Sequence, residues 1–420
     1  MKRLLFNAKP QRCKAAKLSL FLNFASLRLG VFVLTLLFAV AANAQIAVKG
    51  ETVWTMAGEP ITNGVVLINN GKITAVGSAA SITIPANYRV MTAKVVTPGL
   101  IDAHTVVGLN GYLNQPHDQM ALDGSGPFQP ELRAIDAYNA QETLVEWLRS
   151  LGVTTIHTGH QPSALVSGQT MITKTAGSSV DEAVIIPTAM IAATFGQSGL
   201  AGAGKSPGTR AKAASMLRAE LIKALENSKK ADAPKDPKSE IMMRVIKREI
   251  PMMITAHKSQ DIMTALRIAK EFNIRIVLDG VSDAHLLINE IKASGFPVFI
   301  HPTMARPGGD AANMSLTTAG KLKAAGIPVA LQSGYEGYVP KTRVVLYEAA
   351  MAAASGLSRR DALALITIDA AKILGIDNRV GSLAIGKDAD LAMYDGDPFE
   401  YVTHCTGTII NGKVVSEIVR

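Results

Sequence analysis

Short apolar runs alternate with helical stretches from residue 98 to residue 379, and few folds accommodate that alternation. The runs are Val153-Thr-Thr-Ile156, Ala183-Val-Ile-Ile186, Met252-Met-Ile-Thr255, Ile274-Arg-Ile-Val-Leu278, Pro297-Val-Phe-Ile300 and Ile327-Pro-Val-Ala-Leu331. Between them, Ser259 with Asp261 reads as the capped start of one helix. Ser358 with Asp361 reads as the start of another, which stops at Gly375. Strands that alternate with helices imply a parallel sheet joined by right-handed crossovers. Roughly eight such units over about 280 residues suit a closed (β/α)₈ barrel, here residues 98–379.

Both ends of the chain change style. Ile46-Ala-Val-Lys49, Val65-Val-Leu-Ile68 and Lys72-Ile-Thr-Ala-Val76 alternate as strands, with Asn63-Gly64 and Asn69-Asn-Gly71 as hairpin turns. At the far end, Ala389–Tyr394 and Thr408–Val415 are again strands, turned at Asn411-Gly412. The expectation is one β-sandwich composed of residues 45–97 and 380–420. Residues 226–240 are charged, broken by proline and poor in apolar side chains, so they read as an exposed loop joining two helices. The chain has no internal repeat.

The formal charge of +9 belongs almost wholly to the leader. Residues 1–44 hold Lys2, Arg3, Lys9, Arg12, Lys14, Lys17 and Arg28 and no acid, which leaves +2 for the rest. Nucleic-acid binding is therefore not expected. The basic stretch precedes the apolar run Val31–Val40 and the small-x-small site Ala42-Asn43-Ala44, the pattern of a secretion signal. Gly30–Ala44 is 15 residues, short of the ~20 that a spanning helix needs. Cleavage near Ala44-Gln45, delivery to the periplasm or exterior, and no membrane attachment afterwards are the expectations. Cleavage removes Cys13 and leaves Cys405, which reads as a buried or idle thiol.

The segment Val95-Val-Thr-Pro98-Gly-Leu-Ile-Asp102-Ala-His104 resembles the first barrel strand of the amidohydrolase superfamily. Gly381-Ser-Leu-Ala-Ile-Gly386-Lys-Asp388-Ala-Asp390-Leu is similar to that superfamily's return into its β-sandwich. The likeness spans about residues 46–415 and is nearest to the imidazolonepropionase-like and exported dipeptidase-like members. It implies metal ions at the C-terminal mouth of the barrel, which bind water, lower its pKa and polarise a scissile carbonyl. It also implies ligands on several strand ends: His-x-His on strand 1, often a carbamylated lysine on strand 4, one His each on strands 5 and 6, and an Asp on strand 8 that handles the proton.

Carried over residue by residue, the pattern is incomplete. His104 matches the first His of strand 1, but Val106 holds the second position. His257 matches the strand-5 ligand, Asp279 takes the place of the strand-6 His, and Gly334 or Ser333 stands where the Asp belongs. No strand-4 lysine can be placed. Two readings stay open. His104, His257 and Asp279 hold one Zn²⁺ or Fe²⁺ with a position open for water; or the barrel mouth is empty. The first gives a hydrolase for C–N bonds other than ordinary peptide bonds, in a small cyclic amide or an acylated or dipeptide-like substrate. The second gives a silent homologue that acts as a binding or stabilising partner, in a homo-oligomer or beside an intact paralogue.

Further candidates surround the mouth. His157 and His160 follow a strand, and His301 ends another. Gly168 and Gln169, in a loop expected on the substrate side, and Arg210 and Arg306 are candidates for holding a substrate carboxylate. His117, His285 and His404 read as surface or structural residues. Gly199-Leu-Ala-Gly-Ala-Gly204-Lys205-Ser206 satisfies the P-loop pattern, but Pro207-Gly208 delays the helix to about Thr209, so no nucleotide is expected.

Overall fold

The computed structural model describes residues 45–201, 204–232, 236–300, 307–335 and 344–419. The leader, His301 and Arg306 lie outside the described residues. The chain opens with β1 (Ile46–Val53), β2 (Ile61–Asn69), β3 (Lys72–Ser78) and β4 (Arg89–Pro98). There follow β5 (Leu100–Thr105), β6 (Val153–Thr158), β7 (Val166–Gln169), β8 (Met171–Lys174), β9 (Val184–Ile186) and β10 (Ile191–Thr194). The centre holds β11 (Met252–Ala256), β12 (Ile276–Gly280), β13 (Val298–Ile300) and β14 (Val329–Leu331). It closes with β15 (Leu391–Tyr394), β16 (Cys405–Ile410) and β17 (Lys413–Ser416).

The two chain ends meet in one seven-stranded sheet, ordered β17-β16-β15-β4-β1-β2-β3. Alternation places Ile46, Val48, Val66, Ile68, Val96 and Leu391 in one cluster, and Ala47, Val65 and Leu67 in another. Asn70-Gly71 and Asn411-Gly412 turn the hairpins with positive φ at both residues, as expected. Asn63-Gly64 does not. It lies within β2, where Gly64 pairs with Gly50, and a Cβ there would stand 2.5 Å from a Val53 methyl carbon. That glycine serves the close approach of two strands rather than a turn.

The central strands form a six-stranded sheet, β14-β13-β12-β11-β10-β7, and a four-stranded sheet, β5-β6-β8-β9. Two features connect them. Gly334, beyond β14, bridges Thr105 at the end of β5, and its N–H donates to the His104 carbonyl (3.2 Å). On the other side, β7 and β8 are two halves of one stretch. The first half pairs with β10 and the second with β6, both antiparallel. Pairing thus runs around a circuit of eight staves, one of them reversed.

That reversed stave corrects two expectations. The loop expected at Gly168-Gln169 is the strand Val166–Gln169, because Val166, Met171 and Ile172 are fully buried and need sheet partners for their backbone. Ala183–Ile186 is strand only from Val184, and it is an edge strand antiparallel to β8, not a parallel stave.

Side-chain alternation around the circuit separates two cores. Ile101, Ala103, Ile172, Ala192, Met253, Val277, Phe299 and Ala330 share one cluster with Ala370, Ala371 and Leu374 from the helix Ile368–Leu374. The alternate positions, among them Ile254, Ile276, Leu278, Val298 and Val329, pack with the helices. Each such side chain, fully buried, contributes about 2 kcal/mol. In the same alternation Thr255, Asp279 and Gln332 carry the inner row on toward the strand ends.

The helices refine other expectations. The segment that joins the helices Arg210–Asn227 and Pro237–Ile246 is residues 228–236, shorter than the expected 226–240 because both helices extend into that stretch; Thr209 caps the first, so no helix opens at Lys205-Ser206. Ser259 is the first residue of its helix rather than the cap. Its N–H and hydroxyl both donate to Asp283 (2.8 Å each), a carboxylate lent by the next strand's loop. Ser358 caps as expected, but the helix it begins ends at Leu365 and a second runs to the left-handed Gly375. Among the described residues, no helix is long and apolar enough to cross a membrane.

Candidate active site

His104, fully buried, stands one residue before the end of β5, within a register irregularity between Asp102 and Thr105. Such a bulge re-aims the side chains at a strand end. Its Nδ1–H donates to Asp279 Oδ1 (3.1 Å). Gln332 donates to the same oxygen (2.7 Å), and the Thr255 hydroxyl to Oδ2 (2.5 Å). Burial pushes the Asp279 carboxyl up. The electrostatic influence and hydrogen bond of the His104 ring and the bonds from Thr255 and Gln332 outweigh burial and hold it below the usual carboxylate range. Asp279 is thus an anion that accepts three hydrogen bonds, two on Oδ1 and one on Oδ2. The other nitrogen of His104, Nε2, is buried and has no hydrogen-bond partner.

His257 follows β11 one inner position beyond Thr255. Its Nδ1 bonds Ser282 Oγ (2.8 Å) and its Nε2 bonds Tyr335 Oη (3.1 Å). Burial lowers its pKa, so the ring is neutral at pH 7. With the proton on Nδ1, donated to Ser282, Nε2 accepts from the phenol. Gly280 makes room for this ring: it has φ +80°, and a Cβ there would stand 2.7 Å from His257 Cε1. The Tyr335 ring also lies against His104, with centroids 5.3 Å apart.

The expected metal set is therefore revised. His104 and Asp279 come together, but as donor and acceptor of one hydrogen bond. Among the described residues, no three His, Cys, Asp or Glu side chains are grouped to hold an ion. Asp279 belongs behind His104, fixing its tautomer in the way outer carboxylates fix metal-binding imidazoles. Of the two imidazoles, His104 presents Nε2 as an orphaned buried atom, and His257 presents Nε2 to the Tyr335 hydroxyl.

Other expected residues have structural work. His157 sits 6.0 Å from His104 between ring centroids, but both its nitrogens are occupied. Nδ1–H donates to the Ala103 carbonyl (2.7 Å), and Thr170 donates to Nε2 (2.6 Å). Burial, helped by the electrostatic influence of the neighbouring His104 ring, pushes its pKa down to about 3. His160 is buried against Gly168, where a Cβ would stand 2.4 Å from the ring. Gln169 spends its amide on the Pro130 carbonyl and the Thr188 hydroxyl, so the Gly168-Gln169 strand presents no free cradle. Arg210 is held by Asp261 (2.9 Å) and Asp310 (3.1 Å) and is no open carboxylate clamp. Val106 is buried in the larger apolar core, away from any ligand role. Cys405 is buried, and burial raises its thiol pKa. His117 and His404 are exposed beside Asp118 and Asp395, as expected of surface residues.

Sequence reasoning missed Tyr335, Gln332, Thr255, Ser282 and Asp102. Asp102 accepts the backbone N–H of His104 (3.3 Å) and Ser333 (2.9 Å), and burial raises its pKa to about 6. The available signal was the inner-row spacing, Thr255 to His257 and Gln332 to Gly334, which marks polar residues sharing the mouth.

The family model for the amidohydrolase family matches residues 106–416. The chain belongs to the amidohydrolase family. An imidazolonepropionase from Fusobacterium nucleatum subsp. nucleatum is 24% identical over 406 residues, covering 84% of this chain and 91% of the relative. One from Shewanella sp. strain MR-4 is 35% identical over 103 residues, 23% of this chain and 25% of the relative. The crystal structure of an amidohydrolase from Thermotoga maritima MSB8 superposes with a TM-score of 0.84 and 26% identity, covering 89% of this chain and all of the other (100%). A prolidase solved with N-methylphosphonate-L-proline shares the fold, with a TM-score of 0.57 and 16% identity over 89% of this chain and 100% of its own. These amidohydrolase neighbours imply a TIM-type barrel, and the mixed α/β sheets of this amidohydrolase accord with it. The family and its imidazolonepropionase relatives support a hydrolase acting on C–N bonds.

Proposed function

We propose that this amidohydrolase cleaves a C–N bond other than an ordinary peptide bond in a small substrate, either a cyclic amide such as the imidazolone named in its relatives or a dipeptide-like amide. It acts from a (β/α)₈ barrel, with a β-sandwich made by both chain ends, after export and cleavage near Ala44-Gln45. One observation carries the reading: a buried imidazole whose Nδ1–H is fixed by an ionised carboxylate and whose Nε2 is left without a partner. His157, by contrast, is satisfied at both nitrogens, and His160, whose two nitrogens are also without partners, has no carboxylate hydrogen-bonded to its ring to fix a tautomer.

His104 and His257 would hold one divalent ion, Zn²⁺ or Fe²⁺, through Nε2. Such an ion polarises the scissile carbonyl and acidifies water. The chain's own residues do the rest. Asp279 locks His104 in the tautomer that exposes the Nε2 lone pair, and Ser282 holds the His257 ring in place through Nδ1. Gln332 and Thr255 keep Asp279 from swinging away. The apolar inner layer beneath, Met253, Val277 and Phe299, keeps water out of the floor of the site.

Ion content of the purified protein tests this reading, together with hydrolysis of hydantoin, dihydrouracil and Xaa-Pro dipeptides. The expected result is close to one ion per chain, lost in His104→Asn. Less than about a tenth of an ion per chain after growth with added Zn²⁺ or Fe²⁺ would overturn it. A second reading, a silent homologue serving as a partner subunit, draws on the three donors that already hold Asp279 and on Val106 and Gly334; the metal-free result would favour it.

A further inference from the structure

We propose that Tyr335 is the third protein ligand, so that the site is a His104–His257–Tyr335 set in which a phenolate stands in for a carboxylate. The inference rests on the metal reading above and deepens it. Three observations converge. His104 Nε2 is buried without a partner. His257 Nε2 is aimed at Tyr335 Oη at 3.1 Å. The Tyr335 ring packs against the ring of His104, so one phenol adjoins both imidazoles. Two neutral imidazoles alone make a weak site, since mononuclear hydrolytic centres use three protein ligands. The carboxylate in reach, Asp279, is already spent on three donors. Tyr335 directly follows Gly334, which is tied by its N–H to the His104 carbonyl. The phenol is thereby anchored beside β5 at a position that needs no carboxylate from β14.

The chemistry balances. Without an ion, the Tyr335 O–H donates to His257 Nε2. On binding, that O–H bond breaks, its proton passes to solvent, and the phenolate oxygen and the two Nε2 lone pairs turn to the ion. One proton leaves per ion bound, so affinity rises with pH. A hard, anionic oxygen beside two imidazoles favours iron or zinc over a soft-ligand metal.

The test is a titration of the purified protein with Fe(III), presented as its nitrilotriacetate complex. Ion content and the visible spectrum are read together. A phenolate bound to Fe(III) gives a visible charge-transfer band that imidazole and carboxylate ligands do not. The expected result is a band rising to one ion per chain. Tyr335→Phe should abolish the band and weaken binding by at least the ~10–100-fold that loss of an outer partner brings. Tyr335→Glu should restore ion binding without the band, which shows that the variants fold and that a third anionic ligand was missing. If the wild type binds iron with no band, and Tyr335→Phe binds it equally well, the Tyr335 assignment is wrong and the two-histidine reading survives. If neither protein takes up Fe(III) or Zn²⁺, both readings fall.

Discussion

Lys174, at the end of the reversed stave, is only 3% exposed and forms ion pairs with Asp390 and, at 3.4 Å, with Asp388. Replacing it with methionine keeps the stem and removes the charge. The two carboxylates then fare differently. Asp388 retains Lys72 (2.7 Å) and Arg379 (2.9 Å). Asp390, 3% exposed in its side chain, retains only the Asn411 backbone N–H (2.9 Å). The cost is therefore that of one buried, nearly unpaired charge, about 3–5 kcal/mol. In urea that shifts the unfolding midpoint by on the order of 1 M, read through the fluorescence of Trp54 and Trp147. Adding Asp390→Asn to Lys174→Met removes the stranded charge and should bring stability back to within about 1 kcal/mol of the wild type. A single variant that loses under about 1 kcal/mol, or a double variant no better than the single, would refute the assignment of this pair as the lock between the chain-end sheet and the stave.

Gly280→Ala should lower stability by about 1–2 kcal/mol, because φ is +80°, and should also reduce ion uptake, because the new Cβ pushes the His257 ring; melting temperature and ion content report the two effects separately. His157 adds a pH dependence with a definite sign. The unfolded chain takes up a proton below about pH 6.5, whereas the folded chain resists until about 3, so the stability present above 6.5 is lost as pH falls toward 3. The full loss is about 5 kcal/mol, and His157→Gln should flatten that part of the denaturation-versus-pH curve. Arg210→Ala should cost about 1–3 kcal/mol by stranding Asp261, with KM for any hydrolysed substrate unchanged; a selective rise in KM would reinstate Arg210 as a substrate clamp.

The fold was legible where periodicity and turn chemistry agree. Asn70-Gly71 and Asn411-Gly412 marked their hairpins, and the runs at Met252 and Ile274 marked neighbouring parallel strands. The reversed stave was hidden because Leu165-Val-Ser-Gly-Gln-Thr-Met-Ile-Thr173 carries polar residues that are buried anyway. Their partners, such as Pro130 and Thr188 for Gln169, are far off in sequence, so local pattern gives no sign of them. The site was half legible. The residues that meet, His104, Asp279 and His257, sit on strand ends that the family motif and spacing locate. Their roles were not legible, since whether a carboxylate ligates or stands behind a ligand depends on which donors crowd it in three dimensions.

That distinction bears on whether the mouth does chemistry. A fully buried carboxylate such as Asp279, hydrogen-bonded to His104, is weak as a stabilising device, because desolvation cancels most of what its hydrogen bonds contribute. Leaving His104 Nε2 buried without a partner costs a further ~1–3 kcal/mol. Apolar residues of similar volume would fill the same space at no such penalty, as Met253, Val277 and Phe299 do one layer below. Stability alone therefore does not account for this arrangement. A ligand on Nε2 does, since binding supplies the missing partner, and the three donors on Asp279 then read as the means of keeping that nitrogen presented until the ligand arrives.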